Sequence, residues 1–172
     1  MSEKTWDMLS FEYGTVAIVV RDDRLCRVCF ACSPEDATLA VGRYCPDARR
    51  SSSRLVKEVF GQLQEYFRGE RKTFSVKLDN TALSGFARKV HEALLQVPYG
   101  SVVAYRDLAR LAGSPGAARA VGRVMSANPF PLVVPCHRVV NADGQPGQYS
   151  GGYGKVTKLR LIDLERGHSS QS

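Results

Sequence analysis

The sequence lacks an apolar run of membrane-spanning length, and Met1–Lys4 does not open a charged-then-apolar leader. Cysteines are few, five in 172 residues, which is not the density of a disulfide-stabilised secreted domain. These absences argue against a membrane or secreted protein. They predict an intracellular, cytoplasmic chain, nuclear in a eukaryote, in which thiols stay reduced. A length of 172 residues fits one domain or two small ones.

Positive charge is confined to the second half of the chain. The formal net charge is +7, yet residues 1–80 hold 13 Lys and Arg against 12 Asp and Glu, whereas residues 81–172 hold 11 against 5. Such an excess in one half is typical of a nucleic-acid-binding surface. A basic surface with no nucleic-acid partner would give the same count, so the charge by itself does not decide the function.

The first half predicts a small α/β unit without a recognisable catalytic constellation. Two β-rich runs, 15–20 and 25–30, indicate a hairpin, and residues 33–53 form a long polar excursion. A helix with Ser51 or Ser52 as N-cap ends near Gly69, and a third strand follows at 73–78. We place the domain boundary at 79–81.

Four of the five cysteines lie in this half, at Cys26, Cys29, Cys32 and Cys45. Their spacing suggests zinc or redox chemistry. On a regular strand, however, Cys26 and Cys29 face opposite sides, which suits neither a shared metal nor a redox loop. We therefore expect no required cofactor and keep zinc as the alternative.

The second half predicts short helices. Ser84 caps a helix that ends at 98–100, and segments 105–112 and 117–127 flank the breaker cluster 113–116 in a helix-turn-helix layout. The last helix presents a small, basic face that could approach DNA closely, formed by Arg119, Gly122, Arg123 and Ser126 with Ala120 beside them. Short helix pairs of this kind also occur in proteins that never meet DNA.

A cysteine bonded directly to a histidine stands in the apolar segment 131–140. Taken as a strand, this segment points Cys136 and His137 to opposite faces, so a bridging water or a bend in the chain would have to connect them. The pair alone fits a structural thiol beside an unrelated histidine equally well.

The flanking residues separate these alternatives. Pro135–Val139 reads Pro-Cys-His-Arg-Val and resembles the active-site motif of the O6-alkylguanine-DNA alkyltransferases. The resemblance extends over most of residues 84–166, and residues 1–80 are similar only in layout. It implies an α+β fold: an N-terminal α/β domain, 1–80, with a three-stranded antiparallel sheet, and a mostly helical domain, 81–172, with a winged-helix-like DNA-binding motif.

The resemblance also implies a reaction. Cys136 takes the alkyl group of O6-alkylguanine, and of O4-alkylthymine, irreversibly and once per molecule. His137 acts as a base through water, and Asn128 is a hinge. Glu165 orients the histidine, although Asp163 competes for that role because the alignment there contains two extra residues. The partner is double-stranded DNA, bound by a monomer.

Further roles follow from the same resemblance. Arg119 takes the place of the extruded nucleotide, and Tyr105 rotates its phosphate and contacts the flipped base. The remaining pocket residues hold the base, namely Pro135, Val139, Tyr149 and Ser150. Ser126 departs from the family, because other members carry an arginine there. A cysteine hydrolase and a DNA-binding module with a structural cysteine remain as rival functions.

Overall fold

A computed structural model of the protein describes residues 2–168, a mixed α/β chain of six helices and a larger and a smaller sheet. The backbone clusters into two units. One runs to Asp79 and includes Gly151–Tyr153, and the other comprises Asn80–Ser150 and the residues from Gly154 onward. No helix within residues 2–168 is both long and apolar enough to cross a bilayer.

The first unit contains a five-stranded sheet in the order β4-β1-β2-β3-β5. Its antiparallel centre consists of β1 (Thr5–Phe11), β2 (Gly14–Arg21) and β3 (Arg24–Ala31). Two short edge strands, β4 (Arg49–Arg50) and β5 (Lys77–Leu78), pair in parallel with β1 and β3. The expectation of a three-stranded sheet is therefore wrong, because the sheet has five strands. β1 was not predicted, and the predicted strand 73–78 shrinks to β5.

Two helices cover this sheet. β2 contacts both of them and is buried along nearly its whole length, which explains its unbroken apolar run. α1 (Pro34–Tyr44) begins at the N-cap Ser33 inside the stretch expected to be irregular. Only Ala37 and Val41 of this helix are buried, while the apolar Leu39 is exposed, so the apolar pattern was easy to miss. α2 (Arg54–Phe67) is capped by Ser53, one residue later than expected.

Three of the four cysteines of this unit, Cys26, Cys29 and Cys45, pack in its core, whereas Cys32 is exposed. β3 holds one extra residue, because Val19 pairs with Arg27 while Val20 pairs with Leu25. This bulge shifts the alternation, so that Cys26 and Cys29 both pack in the cluster around Trp6, contrary to the expected opposite faces. Burial raises the pKa of both thiols to about 11. Within residues 2–168 no three His, Cys, Asp or Glu side chains are grouped to bind a metal.

The second unit is mostly helical. It contains α3 (Gly85–Leu95), α4 (Tyr105–Leu111), α5 (Ala118–Ser126) and α6 (Lys155–His168). Ser84 caps α3 by accepting a hydrogen bond from the Ala87 amide, as the sequence predicts. The turn between α4 and α5 contains Gly113 and Gly116 at positive φ, a conformation that favours glycine. α3, α4 and α5 contact one another.

A short parallel ladder joins β6 (Val103–Ala104) to β7 (Val139–Val140). The residues just before β7 are not a strand, as we expected, but a 3-10 helix, Cys136–Arg138. Pro135 is the N-cap of this turn, and its ψ of 66° departs from the backbone geometry of a strand. Because Tyr105 follows β6 directly, the ladder brings the start of α4 beside the cysteine turn.

Candidate active site and nucleic-acid interface

Asn128 connects the end of α5 to the chain that carries the cysteine. Its Oδ1 accepts a hydrogen bond from the Phe130 amide, and its Nδ2 donates to the Val134 carbonyl, both at 2.9 Å and both buried. Leu132, between them, adopts φ 75°, which is uncommon for a residue with a side chain. The amide of Asn128 therefore maintains a tight turn that sets the position of Cys136.

Cys136 is a buried thiol, and its neighbours act on its ionisation in opposite directions. Burial raises its pKa above the ordinary 9.0, while a hydrogen bond with Asn128 and the positive charge of Lys158 lower it. The net direction is upward, because removing the sulfur from water disfavours the thiolate. A base that takes the thiol proton is therefore required for nucleophilic chemistry at neutral pH.

His137 supplies an imidazole whose orientation is set by a buried carboxylate. Its Nε2 lies 2.8 Å from Oε1 of Glu165, and both side chains are almost completely buried. An ionised carboxylate can only accept, so we assign the ring proton to Nε2, which leaves Nδ1 with the lone pair. The arrangement fixes the orientation of the ring and places a negative charge beside it, the geometry of a histidine–carboxylate pair.

Glu165 also binds the next residue along the 3-10 turn. Arg138 donates to both carboxylate oxygens through Nε (3.0 Å to Oε2) and Nη2 (2.8 Å to Oε1), and its Nη1 donates to the Val97 carbonyl at 2.9 Å. Burial would raise the pKa of Glu165, but His137 and Arg138 together lower it to about 2. The carboxylate is therefore ionised at any physiological pH. Asp163, the competing acid, is exposed.

Lys158 is a functional candidate that the sequence analysis missed. Its Nζ donates to the Val139 carbonyl (2.6 Å) and the Gln148 carbonyl (3.2 Å), and it lies 5.9 Å from the centre of the Tyr105 ring. Burial lowers its pKa from 10.5 to about 8, so the side chain is still largely protonated at pH 7. Lys158 precedes Glu165 by seven residues, two helical turns, and this spacing was the available signal.

A small cavity of about 140 Å³ opens at the cysteine. Tyr105, Gln148, Tyr149 and Ser150 line it together with Met125, Ser126 and Cys136. Its volume is well below the about 300–1,000 Å³ of sites for drug-sized ligands, so it suits one flat ring. The Tyr149 hydroxyl is buried and has no hydrogen-bond partner within residues 2–168.

A larger cleft of about 800 Å³ adjoins this cavity, since Tyr105, Ser126 and Gln148 line both. The exposed face of α5 contributes Arg119 and Arg123 to it, with Ala118, Gly122 and Ser126 between them. The loop after β7 and the start of α6 supply the rest of the lining. A cationic cleft thus leads to a pocket that ends at a thiol.

The structure brings most of the residues singled out in the sequence to this one place. Ala120 is an exception, because it lines a different cavity between α3 and α5 with His91 and Val124. Pro135 lies at the N-cap of the 3-10 turn and does not line the small cavity. Val139 does not line it either, and its carbonyl accepts a hydrogen bond from Lys158. Arg138 was noted in the sequence, but its role as a partner of Glu165 was not foreseen.

Two family models match the chain. One, described as 6-O-methylguanine DNA methyltransferase, ribonuclease-like domain, matches residues 5–80. The other, described as 6-O-methylguanine DNA methyltransferase, DNA binding domain, matches residues 85–167. Together they cover nearly all of the residues that the structure describes.

Curated relatives resemble the chain over part of their length. A methylated-DNA–protein-cysteine methyltransferase of Mycobacterium leprae is 45% identical over 109 residues, which are 63% of this chain and 64% of the relative. The constitutive protein of that name from Bacillus subtilis is 45% identical over 105 residues, 61% of this chain and 62% of the relative. The chain therefore matches slightly less than two thirds of these relatives.

Solved structures match over more of the chain. The structure of Mycobacterium tuberculosis OGT in complex with DNA has a TM-score of 0.80 and 29% identity, covering 95% of this chain and 94% of that one. The O6-methylguanine-DNA methyltransferase from Pyrococcus kodakaraensis has a TM-score of 0.71 and 29% identity, covering 94% and 98%. Both units of the fold thus have counterparts in single solved chains.

Proposed function

The chain belongs to the 6-O-methylguanine DNA methyltransferase family, and we propose that it repairs duplex DNA by transferring an alkyl group from O6 of guanine to Cys136. One observation carries the proposal: the cavity at the Cys136 thiol shares lining residues with a cleft whose charged side chains are all cationic. A DNA backbone suits that cleft and a single base suits that cavity. Residues 81–172 then bind DNA and transfer the alkyl group, and residues 1–80 have a structural role.

The substrate determines how DNA must be bound. The alkylated edge of guanine is enclosed in a duplex, so the nucleotide has to leave the base stack before a protein sulfur can reach it. In this proposal α4 and α5 act as a helix-turn-helix, and α5 approaches the DNA through its small face at Gly122 and Ser126. Arg119, exposed on that face, fills the space that the base leaves.

The flipped base enters the cavity between Tyr105 and Tyr149, with Ser150 at its edge. Aromatic walls suit a purine, because any base offers a face for stacking. The buried Tyr149 hydroxyl and the Ser150 hydroxyl are available to a polar edge of the base. A pocket of this kind also accepts O4-alkylthymine, whose alkylated oxygen occupies a comparable position, and this is part of the proposal.

The chemical step is a displacement at carbon. The Cys136 sulfur forms a bond to the alkyl carbon while the bond from that carbon to O6 breaks, and the electron pair stays with guanine. The thiol proton passes through a water molecule to Nδ1 of His137, and guanine takes up one proton as it leaves. Glu165 stabilises the positively charged ring in the interval.

The product is a thioether, which water does not hydrolyse readily. No second cysteine lines the cavity within the described part of the chain, so no thiol there could remove the alkyl group. The protein therefore acts once, and one molecule is consumed for each lesion. The bound alkyl group also has to fit against a nearly fully buried sulfur, which should strain the turn held by Asn128.

Intact-protein mass spectrometry tests the reaction. After incubation with a slight excess of a duplex containing one O6-methylguanine, we expect the mass of one methyl group on Cys136 and no further addition. Cys136→Ser should gain no mass and still bind the duplex, while Cys32→Ser, which removes an exposed thiol of the first unit, should react like the wild type.

Two results would contradict the proposal. Folded wild-type protein that binds the duplex without any mass change would indicate damage recognition without repair. A protein that binds no DNA at all and turns over an activated ester would instead favour a cysteine hydrolase.

A further inference from the structure

All charged side chains that line the large cleft are positive. They are Arg119 and Arg123 on α5 and Lys155 at the first residue of α6, and no carboxylate lines the cleft within residues 2–168. The other polar residues beside Lys155 are neutral amides, namely Asn141, Gln145 and Gln148. Two parts of the chain therefore contribute charge to the cleft, and only one of them belongs to the helix pair.

These three cations are exposed and have no ion-pair partner in the part of the chain that the structure describes. Some exposed arginines elsewhere on the surface do have partners, as Arg54 with Glu58 and Arg110 with Asp107 show. An exposed cation without a carboxylate near it is free to meet an anion from another molecule.

Lys155 is also poorly placed for stability. It occupies the N-terminus of α6, where the helix dipole disfavours positive charge, and it is close enough to Lys158 to make that buried cation easier to deprotonate. Neither interaction helps the free protein. An anion held at Lys155 would compensate for both, which points to a ligand rather than to folding as the reason for this charge.

We propose that Lys155 binds a backbone phosphate of the DNA duplex, on the side of the cleft formed by the loop after β7 and the start of α6. The inference rests on the proposed function and adds a contact from outside the helix pair. Arg119 and Arg123 then hold the DNA from α5, and Lys155 holds it from a second element beside the cavity at Cys136. DNA bound between the two is positioned over the reactive cavity.

The salt dependence of DNA binding tests this contact. A cation that neutralises one phosphate contributes about one to the slope of log affinity against log salt concentration. Titration of an undamaged fluorescent duplex, followed by anisotropy at several salt concentrations, should show this slope reduced by about one in Lys155→Gln. At about 0.1 M salt the affinity should fall about tenfold. Lys155→Arg should retain the wild-type slope.

Lys89→Gln is the matched control, because Lys89 is exposed on α3 and lines no part of the cleft. It should leave the slope unchanged. An unchanged slope in Lys155→Gln, or equal reductions in both glutamine variants, would overturn the inference and leave only a general effect of net charge. Wild-type protein that shows no salt-dependent binding would overturn the proposed function itself.

Discussion

Replacing Glu165 by glutamine should destabilise the protein by about 3 kcal/mol and slow alkyl transfer. The carboxylate has a pKa of about 2 in the folded protein against an ordinary 4.5, a difference that corresponds to about 3 kcal/mol at neutral pH. Glutamine cannot accept both Arg138 hydrogen bonds with one oxygen, so it leaves a buried guanidinium without its counter-charge. Mutations that break buried ion pairs in this way typically cost about 3–5 kcal/mol.

The assay is unfolding of the wild type and the variant at pH 7, by heat and by urea. A loss of about 3 kcal/mol corresponds to a fall of about 6–12 °C in Tm for a chain of this size. Asp163→Asn is the matched control, because it makes the same chemical change two residues away on the exposed side of α6. It should change the free energy of unfolding by less than about 0.5 kcal/mol.

The pH dependence gives an independent check. A carboxylate whose pKa is depressed in the folded state contributes stability above the unfolded pKa of 4.5 and loses it as the pH falls towards about 2. Between pH 7 and pH 3 the wild type should therefore lose about 2 kcal/mol more than Glu165→Gln. Equal Tm values for Glu165→Gln and Asp163→Asn, or parallel pH curves for wild type and Glu165→Gln, would refute the reasoning.

Two further predictions concern the neighbours of the thiol. Asn128→Ala leaves the buried Phe130 amide without its partner and removes one of the two donors to the Val134 carbonyl, which keeps its hydrogen bond from the Cys136 amide, so urea unfolding should show a loss of about 2–4 kcal/mol. Lys158→Met removes a positive charge that lowers the pKa of Cys136, so the single-turnover rate of alkyl transfer should move to higher pH. At pH 7 the rate should fall about tenfold for each unit by which the thiol pKa rises.

Each of these predictions has a control on the surface. Asn80→Ala removes an exposed asparagine side chain and should leave the unfolding curve nearly unchanged. Lys89→Met removes an exposed lysine of α3 and should leave the rate profile in place. A rate profile of Lys158→Met that coincides with the wild type would show that the lysine charge does not act on the thiol.

Local sequence information was sufficient where the physical cause is local. Ser84 is a cap because its hydroxyl reaches an amide three residues away, and the breaker cluster between α4 and α5 contains the glycines that turn the chain. Helical periodicity showed that Glu165 and Asp163, two positions apart on one helix, cannot both face inward, and the family resemblance favoured Glu165. Such relations extend over only one or two helical turns, so they can be read directly from the spacing of residues in the sequence.

Other features depend on contacts that no short stretch of sequence encodes. The expected strand at Cys136 became a 3-10 turn because the turn before it, held by Asn128, and the ladder between β6 and β7 constrain both of its ends. The bulge in β3 brought Cys26 and Cys29 into the same cluster, because one extra residue shifts the alternation of the strand beyond it.

The sequence by itself determined that Cys136 and His137 are adjacent, that the face of α5 is small and basic, and that α6 carries an inward-facing acid. Only the tertiary structure decided that Arg138 shares that acid with His137, that Lys158 lies buried near the thiol, and that Lys155 joins α5 in one cleft. The reason is distance along the chain: covalent neighbours and helical faces are properties of a segment, whereas burial and charge pairing arise where remote segments meet.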